Sequence, residues 1–132
     1  MNVLLIEDNC AKATEIVNAV QAAGHTCNWI TGMVQVGEEA TAILPSGNTG
    51  TIRLREYEVA LVDGCLVGEL YGWDIVPSLV RCGVICIAIS GGGDFNPDLR
   101  RAGARLACPK ERVIANLGQL LGEAATLRSA SS

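Results

Sequence analysis

The chain has 132 residues, which suits one compact domain, and its content of 49% hydrophobic and 18% charged residues argues for a buried core rather than disorder. The net charge of −4 and the isoelectric point near 4.9 exclude non-specific nucleic-acid binding, so we expect no direct contact with nucleic acid. No run of about 18 apolar residues is present. The start of the chain runs directly into acidic residues and lacks a secretory signal, so we expect no membrane association and a cytoplasmic location.

The first predicted elements are a strand, a helix and a second strand. Val3–Ile6 is an apolar run of strand length that ends abruptly at Glu7 and Asp8. A helix follows, and Gly24 ends it. Its buried face has the i, i+3, i+4, i+7 spacing and consists of Ala13, Ile16, Val17 and Val20. Thr26–Ile30 is predicted as the second strand.

The stretch from residue 34 to residue 56 combines a helical pattern with turn residues. Val34–Leu44 is predicted as a second helix, closed by Pro45. Residues 45–50, with the sequence PSGNTG, favour turns throughout. Thr51–Leu54 then alternates polar and apolar residues, which leaves an extra β-turn, a short hairpin and a flexible loop as alternatives.

The next part of the chain again alternates strands with a helix. Val59–Val62 is a strand that stops at Asp63. A helix is predicted over Trp73–Arg81, with the buried residues Ile75, Val76, Leu79 and Val80. Val84–Ile89 is continuously apolar and rich in β-branched residues, as in a central parallel strand covered on both faces, and it ends at Ser90.

Two helices with a strand between them complete the chain. Asn96 followed by Pro97 is typical of a helix start, with Asn96 as the N-cap, and Gly103 ends that helix. Arg105–Cys108 is a brief fifth strand. The last helix is predicted over Glu111–Leu127, with an apolar face formed by Val113, Ile114, Leu117, Leu120 and Leu121. Residues 129–132 are expected to form a disordered tail after a single domain of residues 1–128.

Strands that alternate with helical patterns predict an α/β fold, a three-layer αβα sandwich around a five-stranded parallel sheet. We expect right-handed crossovers between the parallel strands. In such open sheets, ligands bind at the carboxyl ends of the strands, near the point where the strand order reverses. The residues that follow the strands are therefore the candidate functional residues.

Polar residues follow four of the predicted strands. Glu7 and Asp8 follow the first, Asp63 the third, Ser90 the fourth and Lys110 the fifth. Carboxylates that converge on one patch repel each other unless a positive charge lies between them, and Mg²⁺ prefers oxygen ligands. Together with an ammonium and a hydroxyl, these groups are suited to a doubly negative phosphoryl group.

The order of these motifs resembles the receiver domain of two-component response regulators over nearly the whole chain. The motifs are Leu4-Leu5-Ile6-Glu7-Asp8-Asn9, Ala60-Leu61-Val62-Asp63, Ile87-Ala88-Ile89-Ser90, and Gly103-Ala104 followed by Lys110. Each motif alone is weak, since an acidic residue after a strand is common. The motifs together, each at a strand end, are specific enough to predict this family. The resemblance implies the flavodoxin-like strand order 2-1-3-4-5.

The resemblance implies a role for each of these residues. Asp63 would be the phospho-acceptor, Ser90 would hydrogen-bond the phosphoryl oxygens and Lys110 would pair with them. The Mg²⁺ ligands would be Asp8, Glu7, Asp63 and the backbone carbonyl of Cys65. The phosphoryl donor would be a sensor histidine kinase or a phosphotransfer protein, and slow hydrolysis of the acyl phosphate would follow. The domain would act on a downstream effector as a switch rather than as a turnover enzyme, and a homodimer is left open.

The sequence departs from the pattern of that family at four places. Pro109 precedes Lys110, whereas the family has the opposite order. Val67 replaces a proline in the loop after the acceptor, and Gly72 comes one residue late. Ala107 replaces the usual aromatic residue of the fifth strand, so the usual relay to the output face should be missing. The segment Pro45–Glu56 is longer than the common connection and is a candidate partner-specific surface.

Two other functions compete with the switch. A receiver-like protein-binding module that works without phosphorylation is favoured by Ala107 and by the Pro109-Lys110 order. A phosphohydrolase of the haloacid-dehalogenase kind would need a second Asp where Cys65 stands. The plain structural alternative is that Glu7 and Asp8 only begin a helix, where acidic residues are favourable.

Six cysteines are spread along the chain without a C-x-x-C pair, and His25 is the only histidine. Zinc sites usually need close pairs of thiolate or imidazole ligands, so this spacing argues against zinc. Most of the cysteines lie in apolar runs, where a reduced cysteine packs as a small hydrophobic residue. Cys65 is the exception because of its position two residues after Asp63.

Overall fold

The computed structural model describes residues 1–91 and 95–131. Its centre is a parallel sheet of five strands, and all strands are numbered along the chain. The five are β1 (Asn2–Ile6), β2 (Thr26–Ile30), β6 (Val59–Val62), β7 (Ile85–Ala88) and β8 (Leu106–Ala107). Their order across the sheet is β2-β1-β6-β7-β8, which is the order 2-1-3-4-5 among the parallel strands. This confirms the predicted α/β fold with flavodoxin-like topology.

Four helices flank this sheet in the described part of the chain. They are α1 (Cys10–Ala22), α2 (Gly72–Arg81), α3 (Asn96–Ala102) and α4 (Val113–Ser131). Side chains alternate along β1, so that Val3 and Leu5 pack with α1 and α4, whereas Leu4 and Ile6 pack with α2 and α3. The sheet is therefore covered on both faces, which explains the continuously apolar central strands.

The prediction of a helix over Val34–Leu44 is wrong. A second sheet replaces it, with three antiparallel strands in the order β3 (Gly32–Gln35), β4 (Glu39–Ile43) and β5 (Thr49–Arg53). Ala40 and Ala42 are buried while Glu39 and Thr41 are not, which is the period of two of a strand. The buried alanines pack into the same core as α2 and α3, and this tertiary contact outweighs the local helix preference of the Glu-Glu-Ala sequence.

The turn predicted over residues 45–50 is a hairpin turn that ends earlier than predicted, because β5 begins at Thr49. Of the stretch with three open alternatives, residues 51–53 form the rest of β5, so a hairpin is the alternative that the structure supports. Leu44 N–H donates to the Asn48 carbonyl at 2.8 Å, and Gly47 N–H donates to the Leu44 carbonyl at 2.8 Å. Gly47 has a φ of +91°, which a residue with a side chain rarely adopts. A three-residue hairpin loop with glycine at its last position has this geometry. The PSGN sequence thus connects β4 to β5.

Some details of the predicted helices also differ in the structure. Val80 and Ile114, expected to be buried, are 44% and 39% exposed. Phe95, not Asn96, occupies the N-cap position of α3. A 3-10 turn over Lys110–Arg112 precedes α4. Each difference lies within about one turn of a helix end, and helix ends are the parts that sequence patterns define least well.

The C-terminal helix α4 runs to Ser131, past residue 129, where the sequence analysis places the start of a tail. Residue 132 of that predicted tail lies outside the described residues, as do residues 92–94 of the glycine-rich segment after Ser90. The domain boundary at residue 128 stays a prediction. Across the described ranges, every helix is too short or too polar to cross a membrane.

Candidate functional site

The carboxyl edge of the parallel sheet brings the predicted site residues together. Glu7 and Asp8 follow β1, Asp63 follows β6, Ser90 lies two residues after β7, and Lys110 lies three residues after β8. Glu7, Asp8 and Asp63 each offer a carboxylate oxygen, and these oxygens lie within 4.8 Å of one another. Parallel strands end at the same edge, so residues far apart in the chain meet there.

Lys110 lies between two of the carboxylates. Its Nζ is 2.8 Å from Asp63 Oδ2 and 2.8 Å from Glu7 Oε1. The Lys110 side chain is only 17% exposed, and those of Glu7 and Asp63 are 0% and 5% exposed. The Pro109-Lys110 order therefore does not prevent Lys110 from reaching the carboxylates. Backbone contact supports this position, because Lys110 N–H donates to the Ser90 carbonyl at 3.2 Å.

Glu7 is held by its own loop and by a neighbouring strand. Asn9 N–H donates to Glu7 Oε2 at 3.0 Å, and the indole N–H of Trp29 on β2 donates to the Glu7 carbonyl at 2.8 Å. Burial raises the pKa of Glu7 to about 7, with smaller raising contributions from Asp63 and Asp8, although Lys110 and the Asn9 N–H oppose the shift.

The charge of Lys110 is fixed by the same contacts. Burial alone would lower the pKa of Lys110, but hydrogen bonds to Asp63 and Glu7 and their negative charges outweigh it, so the pKa is raised. Lys110 therefore stays an ammonium at neutral pH. In the described part of the chain one ammonium faces the carboxyl groups of Glu7, Asp8 and Asp63, so its charge cannot balance all three when they are ionised.

Asp63 and Ser90 are the other buried polar residues of the site. Gly64 N–H donates to Asp63 Oδ1 at 2.7 Å, which orients the carboxylate whose Oδ2 contacts Lys110. Ser90 is 1% exposed, and its Oγ has no hydrogen-bond partner among the described residues. Its backbone N–H donates to Asn96 Oδ1 at 2.9 Å. A buried hydroxyl without a partner beside a charged cluster is available for a ligand.

Sequence analysis missed the role of Asn96 in this arrangement. It treats Asn96 as a helix N-cap, but the side chain of Asn96 instead reaches back to the Ser90 backbone. Asn96 is 7% exposed, which is unusual for an asparagine at a helix start. No local pattern distinguishes the two uses, because both need the same residue type before Pro97.

The sequence analysis also missed the group of aromatic residues beside the acceptor, in which Trp73 packs against the core and against two other rings. Tyr71 and Trp73 stack with ring centroids 4.7 Å apart, and Trp73 lies 5.5 Å from Phe95. A Cβ on Gly64 would lie 2.7 Å from Phe95 Cβ, so the ring of Phe95 occupies the space beside Gly64. Tyr71 and Trp73 lie at the start of α2, whereas Phe95 lies at the start of α3, and the sequence does not show that these two helix starts meet.

The loop of residues 63–72, which we call the acceptor loop, is tied at two points. Gly72 N–H donates to the Gly64 carbonyl at 2.8 Å, which closes the loop on itself. Val67 N–H donates to the Thr31 carbonyl at 3.0 Å, which ties it to the start of the small sheet. The acceptor loop therefore packs on the small sheet that replaces the predicted helix.

The residues present fit a divalent cation. Glu7, Asp8 and Asp63 offer oxygens, which are the ligands that Mg²⁺ prefers. Glu7 Oε1 is buried and accepts no well-directed hydrogen bond in the described part of the chain, although Lys110 lies close to it. Asp8 is exposed, which leaves the cluster open to solvent and to the waters that Mg²⁺ usually retains.

The fold and this arrangement define the class: the chain has the fold of a response-regulator receiver domain. No protein-family model and no curated protein sequence matches it. Solved structures match the chain in fold, at low sequence identity. The N-terminal domain of a response regulator/sensory box/GGDEF 3-domain protein from Carboxydothermus hydrogenoformans matches with a TM-score of 0.72 and 14% identity, over 99% of this chain and 98% of that chain.

Two further structures extend the likeness. A CheY-like response regulator receiver domain protein from Methanospirillum hungatei JF-1 has a TM-score of 0.72 and 14% identity, over 99% of this chain and 98% of that one. The signal receiver domain of a modulated diguanylate cyclase from Desulfovibrio desulfuricans G20, described as "an example of alternate folding", has a TM-score of 0.72 and 17% identity with the same coverage.

The exposed cysteines should react selectively. Cys10 and Cys65 are exposed, whereas burial raises the pKa of Cys27 to about 11 and of Cys86 to about 12. Iodoacetamide attacks the thiolate, so at pH 8 we expect Cys10 and Cys65 to be alkylated well before Cys27 and Cys86. Peptide mass mapping after timed labelling measures this. Equal labelling of Cys86 and Cys65 in the folded protein would contradict the structure.

Glu7 should make stability depend on pH. Its pKa of about 7 in the folded protein exceeds the ordinary 4.5. Between these values the folded protein holds a proton that the unfolded chain has lost. The free energy of unfolding in EDTA should therefore fall, by at most about 3 kcal/mol, as the pH rises through this interval. Urea denaturation at several pH values measures the slope. Glu7→Gln should flatten it, and the exposed control Glu123→Gln should not.

Proposed function

We propose that this protein is a phosphorylation-dependent signalling switch in which Asp63 accepts a phosphoryl group. The observation that carries the proposal is the position of Lys110, with Nζ 2.8 Å from both Asp63 and Glu7 at the carboxyl edge of the sheet. A partly buried ammonium beside a carboxylate nucleophile is placed to stabilise the charge of a phosphoryl group during transfer. The receiver-domain fold of the chain supports the same function.

The chemistry assigned to the residues is a transfer between two side chains. A carboxylate oxygen of Asp63 forms a bond to phosphorus while the bond from phosphorus to the donor histidine nitrogen breaks. Gly64 N–H holds Asp63 Oδ1, which orients the carboxylate for attack. Lys110 remains protonated and pairs with a phosphoryl oxygen, and the unpartnered Ser90 Oγ donates a hydrogen bond to another.

A bound Mg²⁺ would withdraw negative charge from the phosphoryl oxygens. We assign its binding to Glu7, Asp8 and Asp63, whose oxygens lie within 4.8 Å of one another. The backbone carbonyl of Cys65 is assigned as a further ligand from the resemblance to receiver domains. Ionised Glu7 is needed to bind the cation, so Mg²⁺ binding should strengthen as the pH rises through about 7. Two of these carboxylates also contact Lys110, which keeps them in place when no cation is bound.

The proposed donor is a sensor histidine kinase or a phosphotransfer protein, and the proposed target is a downstream effector protein. We place the protein in the cytoplasm. Its six cysteines are all unpaired, which suits a reducing compartment. Ala107 leaves no aromatic ring in β8 to follow the movement of Ser90, so the response must reach the surface by another contact. The acceptor loop, tied to the small sheet through Val67 and Thr31, offers such a contact.

Phosphorylation by a small donor tests the proposal directly. Acetyl phosphate with Mg²⁺ should add the mass of one phosphoryl group to the intact protein, and EDTA should prevent it. Asp63→Asn should abolish the addition, because an amide is not a nucleophile for this transfer. The control is Asp98→Asn on α3, whose half-exposed carboxylate pairs with Arg101 and not with Lys110, and it should be phosphorylated like the wild type.

Metal binding is measured separately with Trp29 as a reporter. The indole N–H of Trp29 bonds the Glu7 carbonyl, so its fluorescence should change when Mg²⁺ binds. Asp8→Ala should weaken Mg²⁺ binding at least tenfold, roughly the loss of one charged ligand. Glu15→Ala, on an exposed turn of α1, should bind Mg²⁺ like the wild type.

The proposed switch is wrong if the protein responds to neither a phosphoryl donor nor a phosphoryl mimic. If acetyl phosphate leaves the mass unchanged and beryllofluoride with Mg²⁺ leaves the fluorescence unchanged, the receiver-like binding module becomes the better account. Ala107 is the observation that favours this second function, because the residue lacks the ring that the resemblance associates with switching. In that case Asp63→Asn should keep all partner binding of the wild type.

A further inference from the structure

The small sheet has two edge strands, β3 and β5, and only one of them is protected from pairing with a further strand. β3 is irregular, with a register shift between Met33 and Gln35, and its start is covered because the Thr31 carbonyl accepts the Val67 N–H. The Val67 backbone also lies against Gly32, where no Cβ could fit. Bulges and covering segments are the usual ways in which proteins block an edge strand from pairing with another chain. The β3 edge is therefore blocked.

The β5 edge carries no such protection. Its pairing with β4 is uninterrupted from Glu39 opposite Arg53 to Ile43 opposite Thr49. The strand has the sequence TGTIR, without proline and with one charged residue, Arg53, whose side chain lies 3.6 Å from Glu39. A regular, nearly uncharged edge of five residues is open to pairing with a further strand.

The backbone groups that β5 presents outward follow from the hydrogen-bond pattern. Leu44 bonds Asn48, and Leu54 bonds Glu38, at the two ends of the β4–β5 ladder. Hydrogen-bonded and non-hydrogen-bonded pairs alternate in an antiparallel ladder, so the even-numbered residues of β5 bond β4. The N–H and C=O groups of Thr49, Thr51 and Arg53 therefore point away from β4. No described residue outside the ladder bonds to them.

The side chains of the same three residues lie on one face of the sheet. Thr49, Thr51 and Arg53 are exposed, whereas Gly50 and Ile52 are half-buried on the core side. An added strand would thus meet three outward backbone positions with exposed side chains and two positions that continue the core face.

We propose that β5 pairs with β5 of a second copy of this chain, antiparallel, with the two-fold axis at Thr51. In this register Thr51 faces Thr51 of the copy, and Arg53 faces Thr49. It is the register in which all three outward residues of one strand meet outward residues of the other, each pair exchanging two backbone hydrogen bonds. Two three-stranded sheets then become one continuous six-stranded sheet.

The occupant is a second copy because the strand is complementary to itself. In the proposed register no arginine faces an arginine, and a directly opposed Thr–Thr pair is favourable in antiparallel sheets. Arg53 keeps its contact with Glu39 of its own chain, since that residue lies on β4. A two-fold contact of one patch with itself closes after two copies, so the assembly ends at a dimer and does not form fibres.

Charge at the axis gives a specific test. Because Thr51 faces its own copy, Thr51→Asp or Thr51→Lys alone places like charges opposite each other, and each variant should be monomeric. An equimolar mixture of the two variants should restore the dimer, now as a heterodimer. Thr51→Val keeps a β-branched residue and should dimerise like the wild type. Circular dichroism melts of all three variants check that the small sheet remains folded.

Sedimentation velocity and light scattering at up to about 1 mM protein measure the assembly, because one strand pair buries less than the roughly 1,200 Å² of a standard interface. A wild type that is monomeric throughout this range overturns the proposal, and β5 is then left to an extended segment of another protein. A Thr51→Asp variant that still dimerises, or a mixture that stays monomeric, also overturns it. Asp63→Asn should dimerise like the wild type, which separates this result from the proposed switch.

Discussion

Replacing Lys110 with methionine should destabilise the metal-free protein by roughly 3–5 kcal/mol, since it removes one partner of a buried ion pair. Glu7 and Asp63 would then face each other with side chains 0% and 5% exposed and no ammonium between them. The loss should be smaller at pH 6 than at pH 8, because burial raises the pKa of Glu7 to about 7 and a protonated Glu7 no longer repels Asp63. Urea denaturation in EDTA measures it.

Magnesium and a second substitution refine this prediction. Mg²⁺ should restore part of the lost stability of Lys110→Met, because it can neutralise the same carboxylates. Adding Glu7→Gln to the variant should also restore stability, since it removes the repulsion itself. The matched control is Lys12→Met, whose ion pair with Glu15 is exposed and should be worth less than about 1 kcal/mol. A Lys110→Met variant as stable as this control would show that the buried pair has no net effect.

Replacing Gly72 with alanine should both destabilise the protein and disturb the acceptor. Gly72 begins α2, and a Cβ there would overlap the backbone carbonyl of Asp63 and lie 2.8 Å from Leu99 Cδ2. Relief of this overlap requires a backbone shift, which costs roughly 1–3 kcal/mol or more. Because the carbonyl belongs to the acceptor residue itself, phosphorylation of Gly72→Ala by acetyl phosphate should be slower even in the fraction that remains folded.

The control for this variant is a glycine in a helix with free space around it. A Cβ on Gly118 of α4 meets no atom within 4 Å, so Gly118→Ala should raise stability by up to about 1 kcal/mol through helix propensity alone. Thermal unfolding followed by circular dichroism compares the two variants. If Gly72→Ala is stabilised like Gly118→Ala, the close packing of α2 on Asp63 is wrong.

The small sheet shows where sequence patterns fail. Val34–Leu44 contains residues that suit a helix and residues that suit a strand, so its local preference is weak. Ala40 and Ala42 are buried in the same core as Leu54, Tyr57 and the helices α2 and α3, all of which come later in the chain. A contact with residues later in the chain thus decides between helix and strand, and a local window does not contain that information.

The candidate site divides in the same way. The residue types at strand ends were visible in the sequence, because a buried parallel strand is continuously apolar and its end is marked by the first polar residue. The direct contact of Lys110 with Glu7 was not predicted, because strand ends indicate which residues share the sheet edge but not which side chains touch there. The same holds for the hydrogen bond of Asn96 to Ser90 and for the stacking of Tyr71 and Trp73 beside Phe95.

The sequence by itself therefore predicted the five parallel strands and the set of acidic, hydroxyl and ammonium groups that follow them, and its resemblance to receiver domains predicted the strand order. Hydrophobic burial acts on every residue of a central strand, so it leaves a pattern that a short window records. Only the tertiary structure decided that a three-stranded antiparallel sheet replaces a helix, that its β5 edge is open, and which atoms meet at the site. Those features depend on distances between residues far apart in the chain, and these are fixed only when the sheet and its covering layers pack together.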